Sequence, residues 1–434
     1  MSSFATTAVA SLVAFCTTFA ATADAQVTAF VDGRIIDGTG SVIERGIVVV
    51  RDGLIADVGP AASVRVPDGA TRIDVRGKTL MPGLVNAHGH LSAVDGLKSG
   101  PQYYTREHLV RQLRAYATYG VTTVFSLGDD RADAFALRAE QATAPPARAR
   151  VYVAGPIVGT DTAEAARVET DKVIALKPDL VKIRVDDNLG TSKKMPEVAW
   201  RATLERAKAA DLTLAAHIFY LADATALAQA GPVFIAHSVR DLPVDDAFLS
   251  AMKAGNACYS PTLMREVSTF VYDSTPSWAN DQFFRRGYGA DISAELADPA
   301  RHARIKASPA SAQGEKYKAA LAVAKRNLKL VSDAGIRVAF GTDTGPAGRF
   351  QGFFEHLELE MMVEAGLTPM QALVAATGRA AACWGKQGQL GTIAPGAAAD
   401  LLVLNANPLD AITNTRSLDA VYIGGRRFEP PPTR

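Results

Sequence analysis

Eight short apolar runs alternate with helical patterns through the middle of this chain, and both of its ends carry β-type runs punctuated by Asp-Gly. Together these predict an α/β protein, a (β/α)8 TIM barrel with a small composite β-sandwich domain built from both chain ends. The alternation is the pattern of βα units around a parallel sheet. A doubly wound open sheet is the alternative reading of the same alternation.

The elements follow in chain order. Residues 1–25 read as a secretory leader. Ala8 to Ala21 is apolar and built of small residues, too short to span a bilayer comfortably, and Ala23-Asp24-Ala25 fits a small-x-small cleavage site before Gln26. The segment Met1-Ser2-Ser3-Phe4 departs from the pattern in having no Lys or Arg. A lipid anchor at Cys16 fits poorly, since bulky Phe15 precedes it. The expected destination is the periplasm or the exterior. Residues 26–82 form the first part of the β-domain, with runs at 29–36, 47–50, 54–58 and 71–75 broken by Asp32-Gly33, Asp52-Gly53 and Asp68-Gly69, each a hairpin signal. Residues 388–434 have the same texture, with runs at 389–393, 399–404 and 420–423 and a turn at Gly424-Gly425.

Residues 83–387 make up the barrel. Its strand candidates lie at 84–91, 121–127, 150–154, 180–185, 213–218, 233–238, 257–261 and 337–342. Helical patterns fill most gaps. The segment 105–119 aligns Leu109, Leu113 and Tyr116, 196–210 has Pro near its start, and 317–334 carries Leu321, Val323, Leu328 and Val331. Between them, 265–313 reads as a long irregular insertion rich in aromatics (Phe270, Tyr272, Trp278, Phe283, Phe284, Tyr288), the profile of a lid that packs on something.

Composition excludes several function classes. A net charge of +1 implies neither a nucleic-acid partner nor a membrane surface once the leader is removed. A hydrophobic content of 48% supports a sizeable core. Three Cys are too few for a disulfide framework; Cys258 and Cys383 can pair, although no spacing argument favours it. A homo-oligomer is compatible with the sequence but not required by it.

The chemistry sits at the strand ends. His88-Gly89-His90 ends the first candidate, where residues i and i+2 of a strand converge and two imidazoles can grip one metal ion, with the Gly leaving the opposite face open. His217 and His237 end the fifth and sixth candidates, so four of seven His occupy one kind of position, the end where such barrels build their sites. His108, His302 and His356 read as non-ligands. Asp343 ends the eighth candidate in Gly341-Thr342-Asp343. It can bind a metal and take a proton from water, where alone it could equally cap the next helix. Lys182 lies inside the fourth run and shares a strand face with Arg184. A Lys aimed into a barrel is costly unless it is paired or chemically changed, for example to a carbamate.

On these residues the chain resembles the amidohydrolase superfamily, in its imidazolonepropionase-like and Xaa-Pro dipeptidase branch. Met81-Pro82-Gly83 through His90, Lys182, His217, His237, Gly341-Thr342-Asp343 and the stretch Leu390-Gly391-Thr392 to Asp400-Leu401 carry the resemblance. It implies two divalent metal ions, of which zinc is the expected identity. One is held by His88, His90 and Asp343 and the other by His217 and His237, with carbamylated Lys182 bridging. It implies further that a shared hydroxide attacks an amide carbonyl, that His237 helps hold the oxyanion, and that Asp343 carries the proton to the leaving amine.

The expected activity is hydrolysis of a carbon–nitrogen bond in a small, carboxylate-bearing substrate such as a dipeptide or N-acyl amino acid. Arg184 is the first candidate for the carboxylate, with an ion pair to Asp186 or Asp187 as its alternative role; Arg240 and Arg265 follow. Dipeptidase-like members place a Tyr two residues after the fifth-strand His, but here Phe219 holds that position and Tyr220 follows it, which puts that role in question. A cyclic amide, imidazolone or lactone substrate is the runner-up, and a non-catalytic metal-binding barrel the distant one.

Overall fold

The computed structural model describes residues 27–143 and 145–432. The expected leader lies outside them. Among the described residues no helix is long and apolar enough to cross a membrane.

Both chain ends share one eight-stranded sheet. Its order runs from Arg426–Arg427 through Leu418–Ile423, Leu401–Leu404, Thr79–Pro82, Val27–Ile36 and Val42–Arg51 to Leu54–Pro60, with Thr71–Asp74 also pairing on Val27–Ile36. The seam between the two ends is the antiparallel pairing of Leu401–Leu404 with Thr79–Pro82. Phe30, Ile35, Val48, Leu80, Leu401 and Tyr422 are buried on one face, and Ala29, Ile47, Val49 and Val64 on the other. Asp52-Gly53 forms the expected hairpin, with both residues at positive φ. Asp32-Gly33 does not. The strand runs straight through it as a bulge, because Val75 crowds the space beside Gly33, where a Cβ would meet its Cγ2 at 2.8 Å. The run at 389–393 is a turn region rather than a strand; Ile393 instead donates its N–H to Asp37.

All eight strands expected in the middle are present. Arg150–Val153, Val121–Ser126 and Leu84–Gly89 form one parallel sheet; Val181–Val185, Leu214–Ile218, Val233–Ala236, Cys258–Ser260 and Arg337–Val338 form another. Backbone bonds join their edges at both sides. Val158 bridges to Ile183 on one side, and on the other Ala87 N–H donates to Phe340 while Gly89 bridges to Thr344. These strands are buried on both faces, which is why each reads as a nearly continuous apolar run. The interior is filled at one end by Val85, Ala87, Phe125, Phe234 and Trp384, and a Cys258–Cys383 disulfide lies there too.

The helices start where the sequence marks them. Thr105 caps Arg106–Thr118, which buries Leu109, Leu113 and Tyr116. Pro196 precedes Glu197–Ala209. The insertion departs from expectation, being largely helical: Leu263–Val267, Gln282–Arg285, Ala290–Leu296 and Pro299–Lys306 lead into the long helix Pro309–Asp333. Asp298-Pro299 and Ser308-Pro309 supply the starts, with Pro in the first helical position. Its aromatics do pack. Trp278, Phe283, Phe284 and Tyr288 interlock with Phe350 and Phe353 beside the eighth strand.

Candidate metal centre

The parallel strands end on one cluster. His88 lies in Leu84–Gly89 with His90 just beyond, Lys182 in Val181–Val185, His217 in Leu214–Ile218, His237 one residue past Val233–Ala236, and Asp343 past Arg337–Val338. His90 Nε2 is 2.8 Å and His88 Nε2 3.4 Å from Asp343 Oδ1. Ligand atoms of these three residues all lie within 4.8 Å of one another. His237 Nε2 faces His217 Nδ1 at 3.0 Å, and its ring centre is 4.6 Å from that of His88. All four imidazoles therefore meet at one place.

Simple strand alternation does not account for this. The ladder of Leu84–Gly89 is irregular between Asn86 and Gly89. His237 sits at φ 80°, Thr262 at φ 48° and Asp343 at φ 59°, a left-handed region unfavourable for side chains and most of all for β-branched Thr. Glycines admit the close approaches. A Cβ on Gly341 would lie 2.7 Å from His88 Cβ. Gly89, expected to leave a face open, is instead enclosed, since its Cβ would meet Tyr116 Oη and Val124 Cγ2 at 2.7 Å each.

A second layer orients the ligands. His217 Nε2 contacts Asp186 Oδ2 at 2.7 Å, and His237 Nδ1 contacts Thr262 Oγ1 at 2.7 Å. Behind His88, its own N–H donates to Asn86 Oδ1, and Asn86 Nδ2 donates to Glu355 Oε1 at 2.6 Å. Thr342 and Thr344 hydroxyls donate to the same Glu355 oxygen.

Burial controls the electrostatics. It pushes His88 down to about 3, with nearby Lys182 adding to the effect, and holds His217 and His237 well below the usual imidazole range, so all three imidazoles are neutral at pH 7. It lowers Lys182 to about 7, which leaves much of it as the free amine that can take up CO2. Burial would raise Asp343, but Arg349 and the two imidazoles hold its carboxyl well below the usual range. Both ring nitrogens of His88 are buried with no hydrogen-bond partner, a costly arrangement that a bound cation would relieve. Neutral imidazoles and a carboxylate are a donor set suited to a divalent metal ion, and the residues present fit one.

The substrate candidates divide. Arg184 and Arg265 line a cavity of about 550 Å³ together with His88, His90, Lys182 and Asp343. Arg184 donates to Asn188 rather than pairing with Asp186 or Asp187. Arg240 is placed elsewhere. It is fully buried, donates to the carbonyls of Ile218 and Ser238, and lies 3.1 Å from Glu266, whose distance in sequence hid the pairing. Tyr220 also turns from the cavity, donating to Asp187 at 2.8 Å. Arg349 and Asp186 were not anticipated. Arg349 lines the cavity and donates to Asp343 Oδ2. Its signal was a basic residue in the Gly-Pro-Ala-Gly loop that follows the rim carboxylate.

The amidohydrolase family model matches residues 79–428, most of the chain. The chain belongs to the amidohydrolase family. It is therefore a hydrolase acting on carbon–nitrogen bonds. Similar proteins include the ochratoxinase of Aspergillus niger, 26% identical over 476 residues that cover 95% of this chain and 88% of that protein. A solved Xaa-Pro dipeptidase with methionine bound in its active site superposes with a TM-score of 0.73 at 19% identity, covering 93% of this amidohydrolase and 100% of that chain. The A. niger ochratoxinase structure superposes with a TM-score of 0.70 at 20% identity, covering 94% and 97%. At these identities the structural likeness extends to the fold.

Proposed function

We propose that this amidohydrolase hydrolyses an amide in a small substrate bearing a carboxylate, such as a dipeptide or N-acyl amino acid. One observation carries the reading: His88, His90, Asp343, Lys182 and His217 share the wall of one cavity with the guanidinium groups of Arg184, Arg265 and Arg349. A carbonyl-activating end and an anion-receiving end thus face the same space. The dipeptidase and ochratoxinase names among similar proteins are consistent with it.

In this reading His88, His90 and Asp343 would hold one divalent ion and His217 and His237 a second, with Lys182 as a carbamate able to serve both; zinc is the expected metal. Such ions would supply Lewis acidity to a carbonyl and make water more acidic. Asp343 receives the proton of the attacking water and delivers it to the departing nitrogen. His237, buried beside His217 and His88, would help hold the carbonyl oxygen, and the guanidinium groups would orient the substrate carboxylate. The eight parallel strands, bonded at both seams, are read as a closed (β/α)8 barrel spanning 83–387, with 26–82 and 388–434 as one β-domain. Export is supported by the Cys258–Cys383 disulfide, a bond that persists in oxidising compartments.

The test is a panel of dipeptides, N-acyl amino acids, cyclic amides and lactones offered to the metal-loaded protein. Carboxylate-bearing linear amides should be cleaved fastest. Asp343→Asn should cut turnover by about 10² or more while leaving the circular dichroism spectrum unchanged. Preference for neutral rings or esters, or a fully active Asp343→Asn, would overturn the reading.

A further inference from the structure

The two oxygens of Asp343 are engaged differently. Oδ1 faces His88 and His90, whereas Oδ2 is held by the Arg349 guanidinium through Nη1. The same Nη1 lies 3.3 Å from the Asp343 carbonyl, and Nε donates to Ser268 Oγ at 3.0 Å. The loop that carries Arg349 is fixed. Gly345 and Arg349 close it by backbone bonds, Tyr272 donates to Gly348, and a Cβ on Gly345 would strike the His90 carbonyl at 2.6 Å. With the backbone so fixed, release of Asp343 Oδ2 falls to the torsions of the Arg349 side chain.

Contact with the proton acceptor singles out this guanidinium; Arg184, in the same cavity, donates to the neutral Asn188. Arg265 already has Glu266 at 3.1 Å, a carboxylate it shares with Arg240. The carboxylate of Arg349 is Asp343. Hydrolysis requires Oδ2, because Oδ1 is turned to the imidazoles. The water oxygen bonds to the carbonyl carbon and its proton passes to Asp343. The carbon–nitrogen bond then breaks as that proton reaches the nitrogen, leaving an acid and an amine. While Arg349 occupies Oδ2, that acceptor position is blocked.

We propose that Arg349 is the specificity-determining residue of this site, a guanidinium that rests on Asp343 Oδ2 until an anionic group of the substrate draws it away. A substrate carboxylate in the cavity offers Arg349 a partner of equal chemistry, and its transfer unmasks the proton acceptor. A neutral amide binds but leaves Arg349 in place. The inference rests on the amide-hydrolase reading above and adds to it a reason for turnover, and not only binding, to depend on the anion.

The experiment compares an N-acetyl-L-amino acid with its C-terminal carboxamide on the metal-loaded full chain. Wild type should show a kcat at least about 100-fold higher on the acid, the range of one general base. In Arg349→Met the two kcat values should converge by the carboxamide quickening towards the acid, whose own loss should appear in KM. Arg349→Lys, which keeps the charge and the loop, should still lower the ratio by about tenfold, since a single ammonium cannot match the guanidinium fork. Calorimetric binding of the free amino acid to metal-stripped protein should weaken at least about tenfold in Arg349→Met, as expected when one charge-assisted pair is lost. An unchanged kcat ratio, or equal losses on both substrates, would overturn the proposal. Failure of wild type to cleave either compound would instead overturn the amide-hydrolase reading.

Discussion

Asp186 Oδ2 lies 2.7 Å from His217 Nε2, so that Nδ1 of the same ring is left to face His237. A carboxylate on one nitrogen fixes the ring and raises the donor strength of the other. Arg240, 3.9 Å from Asp186 and 3.1 Å from Glu266, balances the charge in a fully buried setting. The side chain expected to meet substrate thus stabilises the support of the His217 ring.

Removing that support should weaken the second metal position selectively. Asp186→Ala is expected to lower metal affinity there by about 10- to 100-fold. Competition with a graded chelator, followed by elemental analysis, measures it. Equal retention of both ions in variant and wild type would refute the role.

Lys182 is the residue on which a two-ion site depends. Lys182→Ala should bind about one divalent ion per chain where wild type binds about two, the load of a two-metal site. Reloading stripped wild-type protein in bicarbonate-free buffer should fail in the same way, and added bicarbonate should rescue it. Full metal load with normal turnover in Lys182→Ala would exclude the bridge.

Glu355 should leave a pH signature in stability. Burial raises its carboxyl to about 7, with the Thr344 and Thr342 hydroxyls opposing the shift. A carboxyl raised on folding contributes stability that is full below its unfolded value of 4.5 and is lost as pH climbs through about 7. The loss is on the order of 3 kcal/mol. Urea midpoints at pH 5 and pH 8 should therefore differ more in wild type than in Glu355→Gln. Identical pH profiles would show that the group does not titrate as described.

The Cys258–Cys383 bond closes a loop of 125 residues. Replacing both with Ser should cost about 2–5 kcal/mol. Thermal melts with and without reductant should differ in wild type and coincide in the double variant. A wild-type melt indifferent to reductant would remove this support for export.

Much of this arrangement is written in local sequence. Each parallel strand is buried on both sides and must be an apolar run, so a polar residue at its end, such as His88, His217 or Asp343, stands out. The parity of Val181–Val185 placed Lys182 and Arg184 on one strand face, and both line the cavity, Lys182 buried and Arg184 exposed. What was hidden depends on partners distant in the chain. Asp32-Gly33 is a bulge because Val75 packs beside it. Arg240 is internal because Glu266 receives it. Arg349 is a nearer case, since only the fold of a short loop returns it to Asp343. The helical insertion is a different case. Asp298-Pro299 and Ser308-Pro309 announced two helix starts, but Leu263–Val267, Gln282–Arg285 and Ala290–Leu296 are too short to leave a periodicity to detect.

The sheet made from both chain ends has a consequence for how the molecule is made. Leu80 must wait for Val403, far later in the chain, before its edge is paired. Until then Thr79–Pro82 is an exposed apolar edge, a template for pairing with other chains. A chain kept unfolded until both segments have been made meets the two strands at once, so this topology favours delayed over stepwise folding.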